Sequence, residues 1–297
     1  MPEGSGAAPL QHTIIAQCPL CGRSDAPLYA AFPVMSWVRC SCGLIYMRSA
    51  ADYGVPMPSA GAPNLHYSRR LRRRISKSRH QILDALNHTA PGPLLDVGCA
   101  LGYTLQAARA LGLEACGVEI DEPAVKFCRD QGFDVQVGTL THMPFEANRF
   151  QIITMKHVLE HTPDPLTALA EVRRLLKPGG ALFIAVPHAG YRKAVRDPQH
   201  AKFYQPTPTG AEGGHYIYYT PVTLGRLLER AGFELLQVHP HLIHRSLPAP
   251  LRLLQYVLAP FRWLAQQLAT GLALRKEFWL VAVPRAEPPG APDHSAS

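Results

Sequence analysis

Apolar residues along the chain fall into short blocks whose period switches between that of a strand and that of a helix. Residues 93–97 form a compact apolar run that predicts a buried strand, and 103–111 predict a helix. The alternation continues with strand 114–119, helix 123–131, a third strand at 135–137, strand 150–155, helix 166–176 and strand 181–186. Lys177-Pro178-Gly179-Gly180 is a stop-and-turn signal before the last of these. Helix 220–231 opens on Thr220 as N-cap with Pro221 in its first turn, and 233–238 and 278–283 read as closing strands. Further upstream, Leu71, Ile75, Ile82, Leu83 and Leu86 give 66–88 a helical stripe that ends at Pro91-Gly92-Pro93. Strand and helix in alternation imply parallel βαβ units, so the fold class is α/β with helices on both faces of a sheet.

The length of 297 residues suits one large domain and a small one. Hydrophobic residues at 47% against 18% charged describe a chain able to bury a core. Composition divides it into a Gly/Ala/Pro-rich tail (1–12), a cysteine-bearing unit of its own (13–50), a Pro/Gly/Ala-rich linker (51–65), the α/β domain (66–285) and a second polar tail (286–297). The start of the chain lacks the basic and apolar regions of a signal peptide, and no apolar run approaches the roughly 20 residues of a spanning helix. The expected location is therefore cytoplasmic, where seven cysteines argue for metal ligation or buried thiols rather than disulfides.

The net charge of +8 is concentrated in one stretch, Arg69, Arg70, Arg72, Arg73, Arg74, Lys77 and Arg79, with no acidic residue among them. Such a face could meet phosphates, an anionic membrane surface or water.

Chemistry enters at Leu94-Leu95-Asp96-Val97-Gly98-Cys99-Ala100-Leu101-Gly102, where a buried strand runs through a glycine turn into a helix. Glycine there lets the backbone approach a ligand lying at the strand's carboxyl end beside a helix N-terminus. About 20 positions on, Glu119 ends the next strand in Gly117-Val118-Glu119-Ile120-Asp121, where a carboxylate can accept ribose hydroxyls. The full G-x-G-x-x-G spacing and a P-loop lysine are both missing, which disfavours dinucleotides and ATP.

Across 94–186 these segments, together with GTLTHMPF, FQIITMKHVLEH and LLKPGGALFIAVP, resemble the class I S-adenosylmethionine-dependent methyltransferases. The resemblance implies a Rossmann-like sheet and S-adenosylmethionine as cofactor. It places Asp96, Gly98, Cys99, Ala100 and Gly102 at the turn around the methionine part, Glu119 and Ile120 at the ribose, and Thr139, Leu140 and Met143 at the adenine edge. Gly138-Thr139 stands where many members have Gly-Asp, which points to backbone groups for adenine recognition.

Methyl transfer from a sulfonium needs alignment, exclusion of water and, for oxygen or nitrogen acceptors, removal of a proton. His157-Val158-Leu159-Glu160-His161 follows the fourth strand, and in a helical turn His157, Glu160 and His161 would share a face. His157 and His161 are the catalytic candidates. The trio could instead bind a divalent cation, as a similar Glu-x-x-Glu-His arrangement does in ubiquinone-biosynthesis O-methyltransferases, or serve only to fix the loop. Residues 188–219, rich in Tyr, His and Pro, are expected to form a lid whose aromatics line an acceptor pocket or pack the loop down. The Leu-rich insertion at 245–276, divided by Pro260, either covers the site or makes a peripheral membrane contact through 247–274.

Cys18-Pro19-Leu20-Cys21-Gly22 and Arg39-Cys40-Ser41-Cys42-Gly43 resemble the two knuckles of a zinc ribbon. Cys18, Cys21, Cys40 and Cys42 would hold one structural Zn²⁺, with C-x-C replacing the usual second C-x-x-C. The expectation is a methyltransferase for a small lipophilic or aromatic acceptor. Two alternatives stand beside it: an RNA methyltransferase gripping substrate with the ribbon and basic helix, and a non-catalytic scaffold. The absence of an Asn/Asp-Pro-Pro-Tyr motif after the fourth strand weighs against nucleic acid.

Overall fold

The computed structural model describes residues 15–32, 35–50, 68–190, 215–240 and 277–285. The tails, the linker, most of the expected lid and the whole 245–276 insertion lie outside them.

Among the described residues the first elements are three strands, β1 (Leu28–Phe32), β2 (Met35–Arg39) and β3 (Ile45–Ala50), and then helix α1 (Ser68–Leu86). The α/β succession is then β4 (Leu94–Val97), α2 (Tyr103–Ala110), β5 (Ala115–Glu119), α3 (Glu122–Asp130), β6 (Asp134–Val137), β7 (Phe150–Lys156), α4 (Pro165–Leu175) and β8 (Leu176–Pro187). After it come β9 (Ile217–Tyr218), α5 (Pro221–Arg230), β10 (Phe233–Pro240) and β11 (Glu277–Pro284).

Seven strands form the main sheet in the order β10-β11-β8-β7-β4-β5-β6. The run from β8 to β6 is parallel, and β11 pairs antiparallel with both β8 and β10. β4 lies inside the sheet with all four residues buried, which is why its sequence is apolar almost throughout. Side chains alternate between two layers. Leu94, Ile152, Ala181 and Phe183 face Ile82 and Ala85 of α1 and Ala107 and Ala108 of α2. Leu95, Ile153, Met155 and Ile184 face Leu169 and Val172 of α4 and Leu224 and Leu227 of α5. Helices therefore cover both faces, as the alternating pattern predicts.

Helix starts are set by local chemistry. Asp121 accepts from the Ala124 amide at the head of α3, and Asp164 from Thr167 at the head of α4. Thr220 and Thr223 form a reciprocal capping box at α5. The Lys177–Gly180 turn signal proves milder than expected: β8 already begins at Leu176, opposite Phe150, and takes up Gly179 at φ 72° as an irregularity. No helix among the described residues is long and apolar enough to cross a membrane.

The second sheet, in the order β1-β2-β3-β9, is antiparallel throughout. Its fourth strand comes from within the stretch expected to be only a lid. The boundary drawn at residue 50 is thus not a boundary in packing. Ile15, Leu20, Val38, Leu44 and Tyr46 belong to the same continuous core as Leu224 and Leu227.

Candidate functional site

A cavity of about 830 Å³ opens at the carboxyl ends of β4, β5 and β7. In parallel sheets this end gathers loops and helix N-termini, and it is where ligands bind.

The turn after β4 carries one half. The Gly98 and Cys99 amides both donate to the Val118 carbonyl, tying the turn to β5. Gly98 has φ +65°, and a Cβ on it would come within 2.5 Å of Val158, so only glycine fits. Ala100, at φ 46°, points its amide at Glu119 Oε2 over 2.8 Å. Glu119 Oε1 accepts from Ile120 at 2.8 Å and Asp121 at 3.2 Å. Three amide bonds leave about one of the roughly four acceptor positions of a carboxylate open to a ligand hydroxyl. Ile120, half exposed, and Thr139, Leu140 and Thr141 form the rim beyond it.

Of the residues expected at a cofactor, Asp96, Gly98, Cys99, Ala100, Glu119, Ile120, Thr139 and Leu140 line the cavity. Two do not. Gly102 caps α2 and packs against Cys128 and Phe133. Met143 is 1% exposed and sits in the core, its amide bonded to Glu171, because the chain has turned inward after Thr141. Thr141 takes the rim place instead.

The floor is polar, and of its residues only Asp96 is legible in the sequence. Asp96 is buried and accepts from Thr154, with Lys156 Nζ 3.9 Å away. Burial pushes the Asp96 carboxyl up and the Lys156 ammonium down, and their mutual attraction opposes both shifts. Lys156 also donates to Thr104 and, over 3.1 Å, to Ser78, joining β7 to α2 and α1. Gln81 is 3% exposed, and neither end of its side-chain amide has a hydrogen-bond partner within the protein. A buried orphan amide facing a cavity is a place for a polar ligand group. The available signal was Lys156, a charge ending an apolar strand. Arg74 and Lys77 also line the cavity, whereas Arg72, Arg73 and Arg79 face solvent.

The other half surrounds a short 3₁₀ turn at Leu159–His161. His157 precedes this turn at φ 55°, so the three expected residues do not share a helical face. Its ring instead bridges Glu160 at 3.3 Å and Glu277 at 2.7 Å. Burial works against the charged ring, but the two carboxylates outweigh it and raise its pKa to about 9. A ring that holds its proton at neutral pH is a poor general base.

His161 lines the cavity, its ring centroid 4.7 Å from that of His215. Burial lowers the His215 pKa to about 4. One ligand atom from each of Glu160, His161 and His215 falls within 4.8 Å of the others. Glu160 is fully buried and its Oε2 has no protein partner. These three, rather than His157, Glu160 and His161, could hold a divalent cation.

The four expected zinc ligands do converge. Their sulfurs all lie within 4.8 Å of one another, with Cys18–Cys42 at 3.6 Å and Cys21–Cys40 at 3.4 Å. Tetrahedral zinc with 2.3 Å bonds needs sulfurs roughly 3.8 Å apart, so the set fits a closed structural site.

Residues 67–238 match the family model described as a methyltransferase domain. The ubiquinone biosynthesis O-methyltransferase of Thiobacillus denitrificans is 28% identical over 177 residues, 54% of this chain and 72% of that protein. That of Methylococcus capsulatus is 30% identical over 118 residues, 37% of this chain, so the match spans half of that relative's length. A SAM-dependent methyltransferase structure from Archaeoglobus fulgidus superposes with a TM-score of 0.50 at 16% identity, covering 74% of this chain and 99% of that one.

Proposed function

The chain belongs to the methyltransferase-domain family, and we propose that it is an S-adenosylmethionine-dependent methyltransferase whose acceptor is a small lipophilic or aromatic molecule bearing a hydroxyl group. The observation that carries this reading is the two-sided cavity. At about 830 Å³ it lies near the upper end of ligand pockets, with room for a cofactor and a second small molecule. The half beyond the turn is walled by Val158, Pro163, Tyr216 and the ring of His161, an apolar and aromatic surface. The relatives named as O-methyltransferases support an oxygen acceptor.

S-adenosylmethionine, when bound, would supply an activated methyl group on sulfur. Gly98 would let the backbone lie against the cofactor, Glu119 would accept a ribose hydroxyl, and Gln81 with the Lys156–Asp96 floor would face its polar end. His161 would take the proton of the acceptor's hydroxyl group. His157, protonated between Glu160 and Glu277, acts as a positioning charge rather than a base.

A second reading rests on the unpartnered, buried Glu160 Oε2. With His161 and His215 it would ligate a divalent cation that lowers the acceptor hydroxyl's pKa. Metal-free protein retaining full activity would remove that version.

Calorimetric titration with S-adenosylmethionine and S-adenosylhomocysteine tests the cofactor assignment, followed by a screen of phenolic acceptors for S-adenosylhomocysteine release. Micromolar binding of both and turnover of a phenol are expected. A folded, zinc-loaded sample that binds neither would sink the assignment.

A further inference from the structure

The four-cysteine hairpin touches the acceptor half of the cavity through a short chain of contacts. Cys40 and Cys42 sit in the turn between β2 and β3, and Cys42 is three residues from Ile45, where β3 begins to pair with β9. Ile45 opposes Tyr218 and Tyr46 opposes Ile217, while the Met47 amide donates to the Tyr216 carbonyl over 2.9 Å. Trp37 of β2, 2% exposed, lies 4.9 Å centroid to centroid from Tyr218. The Tyr218 hydroxyl is 3.1 Å from His215 Nδ1. The Tyr216 amide donates to the Glu160 carbonyl over 2.7 Å. His215 in turn lies against His161.

β9 is two residues long and pairs with β3 alone within its sheet. A strand so short has little stability of its own, and its position depends on what it is paired with. β3 depends in turn on a hairpin whose turn carries two of the four clustered sulfurs, Cys40 and Cys42. Binding free energy at such structural zinc sites is folding free energy. The cofactor half makes no comparable use of the hairpin: the Gly98 turn is tied to β5, and Glu119 to amides at 100, 120 and 121.

We infer that the cysteine hairpin is a working part of the acceptor site: metal held by its four sulfurs orders β9, and β9 positions Glu160, His161, His215 and Tyr216. Metal occupancy therefore governs the acceptor half and spares the cofactor half. The word acceptor rests on the methyltransferase reading above; the mechanical coupling does not.

The test uses the full chain, zinc-loaded and then stripped by a chelator, with released zinc measured. Hydrogen exchange is followed in peptides covering 44–48 and 215–219, and S-adenosylhomocysteine affinity by calorimetry. Zinc loss is expected to speed exchange in both peptides by about tenfold or more, the mark of a lost local structure. Over 94–119 exchange should stay unchanged, S-adenosylhomocysteine affinity within about twofold, and added Zn²⁺ should restore protection. Unchanged exchange at 215–219 in the stripped protein would overturn the inference, as would loosening of 94–119 to the same degree. Should stripping unfold the whole chain, Trp37→Ala in the zinc-loaded protein decides: 215–219 must loosen while zinc content and S-adenosylhomocysteine binding persist, and failure to loosen rejects the coupling. A zinc-loaded wild-type chain that binds no S-adenosylhomocysteine refutes the methyltransferase reading instead, and the exchange data still decide this one.

Discussion

The two halves of the cavity are built in different ways. The cofactor half comes mainly from one stretch, 96 to 141, over a floor completed by Gln81 and Lys156, and its turn uses mostly backbone: a glycine turn, the ends of two adjacent parallel strands, and a carboxylate held by three amides. The acceptor half is gathered from the 157–163 segment and Tyr216 beside β9, and it uses side chains held in place by distant partners. Glu277 reaches His157 from 120 positions away, and Lys77 reaches Glu277 from 200. A backbone-built site tolerates change nearly everywhere except at its glycines and its single carboxylate. A side-chain-built site can be retuned by single substitutions, since each member can be exchanged without disturbing the ladder beneath it.

His161 is where the two halves should separate most sharply. His161→Ala should lower kcat by roughly 10²- to 10⁴-fold, the usual contribution of a positioned base, with S-adenosylhomocysteine affinity unchanged. A loss of cofactor affinity of the same size would mean that the halves are not independent. Next in size is Glu119→Ala, which should weaken cofactor binding by about 1–3 kcal/mol through loss of one polar contact and release of three amides. Calorimetry reads the affinity, and an unaltered value would remove the ribose assignment.

The smallest effect is the most diagnostic. His157 has its folded pKa raised to about 9 from 6.5. Its contribution to stability is therefore complete below pH 6.5 and is lost as pH rises through 9. Because the side chain is 44% exposed, the effect should be modest. Denaturant midpoints of wild type and His157→Gln should differ at pH 6 and converge by pH 10. A gap that persists at pH 10 would show that the ring acts by packing and not by charge.

How much of this could be read beforehand divides along the same line. The parallel α/β order was legible because burial on both faces forces apolar runs for strands and a 3.6-residue stripe for helices. Eight of the ten expected cofactor residues reach the cavity because they lie next to strand ends whose position the periodicity already sets. Met143 failed because nothing local says where the chain, having passed the rim at Thr141, turns back into the core. The cysteine set was legible as a ligand pattern, since two close pairs of thiols carry their chemistry in their spacing.

The chain's own sequence thus determined the sheet, the cofactor turn and the four-sulfur cluster, all features announced by local signals: strand and helix periods, a glycine turn, and two close cysteine pairs. Only the tertiary structure decided that β9 completes the hairpin's sheet. The same holds for His215 joining Glu160 and His161 in one cluster, and for His157 bridging Glu160 and Glu277. The long-range contacts among them join residues from 54 positions apart, His161 and His215, to 173 apart, Ile45 and Tyr218. No local propensity specifies such a contact, and it exists only once burial of the common core has drawn the segments together.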